Sequence, residues 1–231
     1  MRIDAILSRF GYCSRREAAV WLKLGRVTRN GEKLSQVSAK AEPEELCVDG
    51  EPIPFPRGLY VVLNKPTGYT CSHREEGELV YDLLPEDWLR RNPAVNTVGR
   101  LDKETSGLLL LTDDGAFEHA LTSPRRHVPK LYRFTTEAPI PPSAVALFAE
   151  GTLLLSGEKT PCQPADLVIT APCSGELTLH EGRYHQVRRM LAAVGAPVQT
   201  LQRTAIGTLR LEDLQLAEGE WAAIDPSIFT R

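Results

Sequence analysis

Four consecutive leucines, at positions 108–111, lie between a charged segment and the turn sequence DDG at 113–115. A short apolar run bounded by turn residues is typical of a strand buried within a sheet. The residues before the run read GRLDKETSG, so Asp102 lies shortly before the predicted strand. An aspartate beside Thr, Ser and Gly is most commonly a turn or N-cap residue. A rigid strand could also hold this carboxylate in place for chemistry, and local spacing leaves both roles open.

The segments around this strand show mixed strand and helix patterns. The predicted strands are LYVVLNK from position 59, KLYRFTTE at 130–137, LVIT, GELTLH and a closing segment, and the predicted helices lie at 117–121, in PPSAVALFAEG and at 181–195. They do not alternate regularly as strand, helix and strand, as a doubly wound parallel sheet would require. The sequence therefore predicts an α+β fold with a largely antiparallel mixed sheet.

The N-terminal segment predicts a small helical unit followed by a hairpin. Its first helix has apolar residues at helical spacing and ends at Gly11. Ser14 and Glu17 have the spacing of a capping box for a second helix that ends at Gly25. The sequence RVTRNGEKL at 26–34 then contains an Asn-Gly pair, which predicts a tight hairpin turn.

Charge is distributed unevenly along the chain. The formal net charge is −3, yet residues 1–40 carry nine Lys or Arg against three acidic residues, and the other 191 residues carry 18 against 27. Since a local excess of basic residues attracts polyanions, we expect the N-terminal head to contact one, and the acidic body to act more selectively.

A proline-rich segment, EPIPFPRG at 51–58, separates the head from the body. Prolines at alternate positions stiffen a chain towards the polyproline II conformation, which favours a linker. An edge strand containing prolines is the alternative. We therefore predict a head at 1–50, a linker at 51–58 and a body at 59–231.

Several classes of protein do not fit the sequence. No apolar run approaches the length of about 20 residues that a membrane span needs, and the N-terminus has no secretory pattern, so we expect a cytoplasmic protein. The five cysteines are scattered without a C-x-x-C pair, which argues against disulfides and structural zinc. In HEGRYH, the spacing of His180 and His185 does not place both rings on one helical face, so we expect no metal.

The segment EGRYHQVRRMLAAVG at 181–195 predicts an amphipathic helix. Its apolar stripe consists of Val187, Met190, Leu191 and Val194. His185, Arg188 and Arg189 form a separate basic flank. Such a flank is most often a solvated surface, and its spacing alone does not assign it a function.

These motifs together resemble a known family. SRREAAVWLKLGRVTRNG is similar to the S4 RNA-binding module and covers roughly residues 1–50. Behind it, NKPTG, GRLDKETSGLLLLT, KLY and EGRYHQVRRM occur in an order that closely resembles the RsuA branch of the pseudouridine synthases. The resemblance spans essentially the whole chain. It implies an S4-like RNA-binding domain followed by a pseudouridine synthase catalytic domain.

The resemblance implies isomerisation of a uridine in RNA to pseudouridine, with no cofactor. The family's essential aspartate corresponds to Asp102, whose role as a nucleophile or a base stays open. Tyr132 and Arg188 are the implied aromatic platform and cationic partner of the aspartate, because a flipped base needs stacking and a buried carboxylate needs a cation. Val187 either faces the uracil or is part of the core. Lys65 and Pro66 match the first motif, which is expected to support the active-site loop.

We also expect a set of cationic side chains to contact the RNA. These are Arg15, Arg16, Lys23, Arg26 and Arg29 in the head, and Arg100, Arg125, Arg126, His185 and Arg189 in the body.

In its compact length and in TDDG and TSPRRHVPKLY, the chain most resembles the members of the family that act on small-subunit 16S rRNA. The resemblance implies this RNA as the partner, either naked or in an assembly particle. We expect a monomer that does not contact a membrane. The alternatives are a large-subunit 23S rRNA synthase and a non-catalytic S4-type RNA-binding or ribosome-assembly protein. A glycoside hydrolase would need a second carboxylate, a role for which the sequence singles out no residue.

Overall fold

The computed structural model describes residues 1–123 and 126–229. The N-terminal part of the chain forms two short helices and a four-stranded sheet in the order β2-β1-β3-β4. Its elements are α1 (Ile3–Arg9), α2 (Ala18–Lys23), β1 (Val27–Arg29), β2 (Glu32–Lys33), β3 (Leu46–Val48) and β4 (Glu51–Pro52).

Local sequence signals explain this small unit. Both hydrogen bonds of the predicted capping box form: the Ser14 backbone N–H donates to Glu17 at 2.9 Å, and the Glu17 N–H donates to the Ser14 hydroxyl at 3.3 Å. They close the turn at 14–17, and α2 itself begins at Ala18. Asn30 and Gly31 both have positive φ, as the predicted hairpin turn requires. The helices and the sheet enclose a core whose buried members include Ile3, Ile6, Leu7, Phe10, Ala18, Leu22, Val27 and Leu46.

The rest of the chain forms a nine-stranded sheet with the main order β13-β5-β7-β11-β8-β10-β9, to which β6 and β12 are attached at β7 and β11. Its strands are β5 (Tyr60–Lys65), β6 (Asn96–Thr97), β7 (Ser106–Thr112), β8 (Lys130–Thr136), β9 (Asp166–Ala171), β10 (Ser174–Leu179), β11 (Val198–Ile206), β12 (Leu209–Arg210) and β13 (Trp221–Ala223). Among the strand pairs of the described residues, β7 with β11 is parallel and the others are antiparallel. The predicted α+β class with a largely antiparallel sheet is confirmed.

The leucine run occupies the middle of this sheet, and all seven residues of β7 are buried. Its side chains alternate between two cores: Leu109 and Leu111 pack in one, and Leu108 and Leu110 in the other. Asp114 follows β7 and caps the next helix. The body's helices are α3 (Glu86–Leu89), α4 (Gly115–Thr122), α5 (Ser143–Glu150) and α6 (Gln186–Ala193).

The proline-rich segment at 51–58 packs against both the N-terminal unit and the body. Residues 51–52 pair with β3 as an edge strand, and Ile53 belongs to the small core. Phe55 packs edge-on against Trp88 of the body, with ring centroids 5.0 Å apart. The Asn92 N–H also donates to the Arg9 carbonyl at 2.8 Å. The head and the body are therefore in direct contact.

No helix within residues 1–123 and 126–229 combines the length and apolarity that crossing a bilayer would take.

Candidate active site

Asp102 lies in the loop that leads into β7. The Thr105 N–H donates to the backbone carbonyl of Asp102 at 3.0 Å, so the residue does form part of a turn. The turn uses the main chain of Asp102 and leaves its carboxylate available. The side chain is 36% exposed, and its Oδ1 lies 3.3 Å from Nε2 of His185. This carboxylate is therefore accessible from solvent and is held in a defined place.

The buried side chain of Lys65 binds the loop that carries Asp102. The side chain of Lys65, at the end of β5, is fully buried. Its ammonium donates to the carbonyls of Pro66, Asp102, Lys103 and Thr105 at 2.9, 3.3, 3.2 and 2.9 Å. Burial lowers the pKa of Lys65, because the charged form loses its hydration. These contacts support the predicted role of the first motif, to hold the active-site loop.

Every backbone carbonyl from 102 to 105 accepts a hydrogen bond. Lys65 binds three of them, and the Gly68 N–H also donates to the Lys103 carbonyl at 2.9 Å. The carbonyl of Glu104 accepts from Nη2 of Arg188 at 2.7 Å. Because two separate segments, 65–68 and the start of α6, bind these four carbonyls, the backbone next to the carboxylate is held in place.

The glycine of the motif is required by close packing of the strands. Gly107 has φ +102° and lies opposite Lys65 on β5 and Arg203 on β11. A Cβ at this position would come within 2.3 Å of the Arg203 carbonyl oxygen. Arg203 itself is 2% exposed, and its Nε donates to the Leu108 carbonyl at 2.8 Å. Lys65 and Arg203 are thus two buried cations at the start of the central strand, and only Lys65 was predicted from the sequence.

The structure corrects the expected environment of Asp102. Arg188 was expected to pair with a buried carboxylate, but its guanidinium binds the Glu104 carbonyl and forms no ion pair with Asp102. The ring of the neighbouring His185 contacts the carboxylate instead, with Nε2 3.3 Å from Oδ1. His185 precedes α6 in the left-handed conformation (φ 48°, ψ 34°) and is not part of a helical flank. No spacing in the sequence predicts this contact.

Tyr132 packs against two hydrophobic cores of the body. It is half-buried and packs against the core that contains Leu101, beside Asp102, and against the core that contains Val187. In the sheet it is opposite Arg203 on β11. Val187 is 4% exposed within the core, which agrees with the second of its two expected roles. Tyr132 therefore packs between the two cores, and Arg188 binds the loop that carries Asp102.

The basic residues of the head are largely paired. Arg15 binds Asp4 at 3.3 Å, Arg29 binds Glu45 at 2.8 Å, and Arg26 binds Asp49 at 2.5 Å while stacking over Trp21. The acidic partners at 45 and 49 lie just beyond the first 40 residues, and residues 1–52 carry nine basic against eight acidic side chains. The expected strongly basic head is therefore nearly neutral as a folded unit.

Two expected RNA contacts in the head stay exposed. Arg16 and Lys23 lie on the surface, and neither forms an ion pair with another side chain of the described residues. Of the five expected RNA contacts in the head, these two are the ones without an ion pair among the described residues, and both are accessible to a phosphate.

The expected contacts in the body differ in exposure. Arg100 is exposed and lies 3.7 Å from Glu75. Arg126 is also exposed, whereas Arg125 lies outside the described residues. Arg189 turns inward, where it binds Glu158 at 2.9 Å and the carbonyls of Ser156 and Tyr184 at 2.6 and 3.1 Å. Its guanidinium therefore supports the protein's own loops.

Comparisons with known proteins show which families the two parts of the chain match. A family model described as RNA pseudouridylate synthase matches residues 59–152, and an S4 domain model matches residues 1–52. The chain is 41% identical over 228 residues to "Ribosomal small subunit pseudouridine synthase A" of Pasteurella multocida, covering 97% of this chain and 96% of the relative. It is 40% identical over 226 residues to the Escherichia coli K12 protein of the same name, covering 96% and 95%.

A Bacillus subtilis relative, named "Uncharacterized RNA pseudouridine synthase YtzG", is 37% identical over 228 residues and covers 96% of this chain and 93% of its own. Among solved structures, one titled "Crystal structure of pseudouridylate synthase" matches with a TM-score of 0.68 at 36% identity, and covers 98% of this chain and 97% of that one. The similarity therefore includes both the head and the body.

Proposed function

Because this chain belongs to the RNA pseudouridine synthase family, we propose that it converts a uridine of small-subunit 16S rRNA to pseudouridine, with Asp102 as the catalytic carboxylate. The reaction is an isomerisation: the bond between the sugar and a uracil nitrogen breaks, the uracil turns, and a bond from the sugar to a uracil carbon forms. Electrons and atoms balance without an external oxidant or reductant, so the chemistry calls for no cofactor.

The position of Asp102 is the observation that carries the proposal. Its carboxylate is partly exposed, while the backbone around it is bound by Lys65, Gly68 and Arg188. A group that reacts with a bound substrate needs this combination of access and fixed geometry. The same carboxylate can attack the sugar as a nucleophile or remove a proton from it as a base, and both routes require this placement.

The surroundings of Asp102 suit a base that has been taken out of its stack. Tyr132, partly buried between the two cores of the body, is the proposed aromatic surface for the uracil. The ring of His185 in contact with the carboxylate is a nearby hydrogen-bonding group. Arg16 and Lys23 of the head supply surface charge that can bind phosphates along the RNA.

The names of the relatives support the choice of substrate. The Pasteurella and Escherichia proteins are both named for the ribosomal small subunit, and each is covered along nearly its whole length. We infer 16S rRNA, naked or in an assembly particle, as the partner of this chain, and hence the cytoplasm as its location.

Tritium release tests the proposal. Uridine tritiated at carbon 5 of the uracil loses its label when the new bond to the sugar forms at that carbon. We would incubate the protein with labelled 16S and 23S transcripts and with partly assembled small-subunit particles, and then map the product. Release from 16S rRNA or its particle is expected. Release from 23S alone would overturn the substrate, and no release from any RNA would overturn the enzymatic function.

A further inference from the structure

Asp102 contacts His185, and the ring of His185 in turn stacks on an exposed tyrosine, Tyr184. Tyr184 is 74% exposed and stacks on the imidazole of His185, with ring centroids 3.8 Å apart and an angle of 15° between the planes. His185 in turn contacts the carboxylate of Asp102. One face of the Tyr184 ring is thus covered by His185, and the high exposure leaves the opposite face open to solvent.

The turn that carries these rings is firmly supported. The Tyr184 carbonyl accepts from Arg189 at 3.1 Å, and the same guanidinium binds Glu158 and the Ser156 carbonyl. On the other side, Arg183 donates to Glu181 at 3.1 Å and to the Thr160 carbonyl at 2.7 Å.

The buried side chain of Gln186 closes the turn. It accepts from the Arg183 N–H at 2.9 Å and donates to Glu181 at 2.7 Å. These contacts hold the backbone beneath an aromatic side chain that itself stays in solvent.

The backbone of His185 adds a second, independent observation. A non-glycine residue with φ 48° and ψ 34° is in the sparsely populated left-handed region. Such conformations persist where surrounding contacts enforce them, and they concentrate at functional sites. Here the conformation directs the imidazole between the carboxylate of Asp102 and the ring of Tyr184.

We propose that Tyr184, backed by His185, is a stacking subsite for a nucleobase that flanks the target uridine in the RNA. This inference rests on the proposed function. Turning a uridine out of its stack removes a stacking partner from the neighbouring base. The exposed ring of Tyr184, separated from the carboxylate of Asp102 by the His185 ring, can replace that partner. Every nucleobase has a π-face, so the subsite would accept any of the four bases.

A supported aromatic side chain suits this role because little conformational freedom is lost when the base stacks on it. An exposed tyrosine on a mobile loop would have to be ordered by the RNA. Here the contacts made by Arg183, Gln186 and Arg189 already hold the backbone of the turn in the protein without RNA.

Fluorescent RNA tests the subsite directly. RNA hairpins would be taken from the 16S region that the protein binds, with 2-aminopurine replacing in turn each base beside a uridine of that region. Stacking on Tyr184 should quench the fluorescence at one flanking position when the wild-type protein binds. The quench should persist with Tyr184→Phe and disappear with Tyr184→Ala and Tyr184→Leu at saturating protein.

Kinetics supplies the second readout. With tritium-labelled hairpins, Tyr184→Ala should raise KM by about tenfold, equivalent to about 1.4 kcal/mol, and change kcat less than about threefold. Val168→Ala, which truncates another exposed apolar side chain on β9, is the control and should leave both constants unchanged. A Tyr184→Leu variant with wild-type quenching and KM would overturn the subsite.

The two proposals fail in different ways. If the wild-type protein released no tritium, the proposed function would fail, while the quenching experiment would still decide the subsite because it requires only binding. If tritium were released normally and Tyr184→Ala left quenching and KM unchanged, the subsite alone would be wrong.

Discussion

The ammonium of Lys65 donates to the backbone carbonyl of Asp102 across 3.3 Å, from a side chain that is fully buried. The same group binds the Thr105 carbonyl at 2.9 Å, so one lysine holds both ends of the turn that contains the proposed catalytic residue. A buried charge is tolerated in a protein when it is fully hydrogen-bonded, as this one is. Lys65 therefore links the stability of the fold to the geometry of the site.

We predict that Lys65→Met impairs both stability and activity. The substitution leaves the carbonyls of the loop without their shared donor, and unsatisfied buried groups cost about 1–3 kcal/mol each. We expect the free energy of unfolding to fall by about 3 kcal/mol and tritium release to fall about 100-fold, since small displacements of reacting groups have effects of that size. Urea denaturation and single-turnover assays at a temperature where the variant is folded would measure these changes.

Lys103→Met is the matched control for that variant, because Lys103 is an exposed lysine in the same loop. It should retain wild-type stability. Equal effects of the two substitutions would contradict the supporting role of Lys65.

Gly107→Ala is expected to destabilise the central sheet. The added Cβ would meet the Arg203 carbonyl at 2.3 Å, and the backbone has φ +102°, which alanine adopts only with strain. We expect a loss of at least about 2 kcal/mol of unfolding free energy by thermal or urea denaturation. Gly115→Ala, at the start of α4 with no atom within 4 Å of the new Cβ, should be neutral or slightly stabilising. A Gly107→Ala protein as stable as wild type would contradict the claim that β7 and β11 pack too closely here for a side chain.

Asp114→Ala should reduce stability in a pH-dependent way. The carboxylate accepts from the Tyr60 hydroxyl at 2.8 Å and from the Ala116 and Phe117 N–H groups at 2.9 and 3.2 Å. The bond from Tyr60 is the main cause that lowers the pKa of Asp114 below its ordinary value of 3.8. Burial, and then the same bond, raises the pKa of Tyr60 to about 12.

The sign of this pH dependence follows from the lowered pKa. The unfolded chain binds the proton first as pH falls, so the stabilisation by Asp114 is complete above about pH 3.8 and is lost below it. We expect Asp114→Ala to cost about 1 kcal/mol at pH 7, as is usual for an N-cap, and the difference from wild type to shrink below pH 4. Urea titrations from pH 7 to pH 3 measure it, and a difference that stays constant to pH 3 would contradict this account.

The exposed cations of the head should contribute more to RNA binding than the paired ones. The double variant Arg16→Ala, Lys23→Ala should weaken binding to 16S transcripts and reduce the slope of log affinity against log salt concentration by about 1 to 2. The double variant Arg26→Ala, Arg29→Ala removes side chains that bind Asp49 and Glu45, and should change the slope less. Filter binding at several salt concentrations tests this, and a larger slope change in the second variant would reverse the assignment.

Features set by neighbouring residues could be predicted from the sequence. The capping box of Ser14 and Glu17, the Asn30-Gly31 turn and the buried leucine strand each depend on a few adjacent side chains. Local chemistry decides such features before tertiary packing begins. The α+β class followed from the same local signals.

Contacts between distant segments could not be predicted in the same way. The sequence resemblance selected Arg188 as the partner of Asp102, whereas the structure brings His185 to the carboxylate and Arg188 to the Glu104 carbonyl. Both contacts depend on how α6 and the loop before β7 meet across the sheet, which no local pattern encodes. The prediction of a strongly basic head was wrong for a similar reason. Its basic residues pair with acidic residues distant in sequence, as Arg26 does with Asp49, 23 residues away.

The most direct test of Asp102 as the catalytic carboxylate is single-turnover tritium release by Asp102→Asn. This substitution keeps the size of the side chain and removes the negative charge that the proposed chemistry needs. Glu104→Gln, which changes an exposed carboxylate two residues away, is the control. We predict no detectable release from 16S rRNA by Asp102→Asn, with RNA binding retained, and near-normal release by Glu104→Gln. Release by Asp102→Asn at the wild-type rate would contradict the assignment of Asp102 as the catalytic carboxylate.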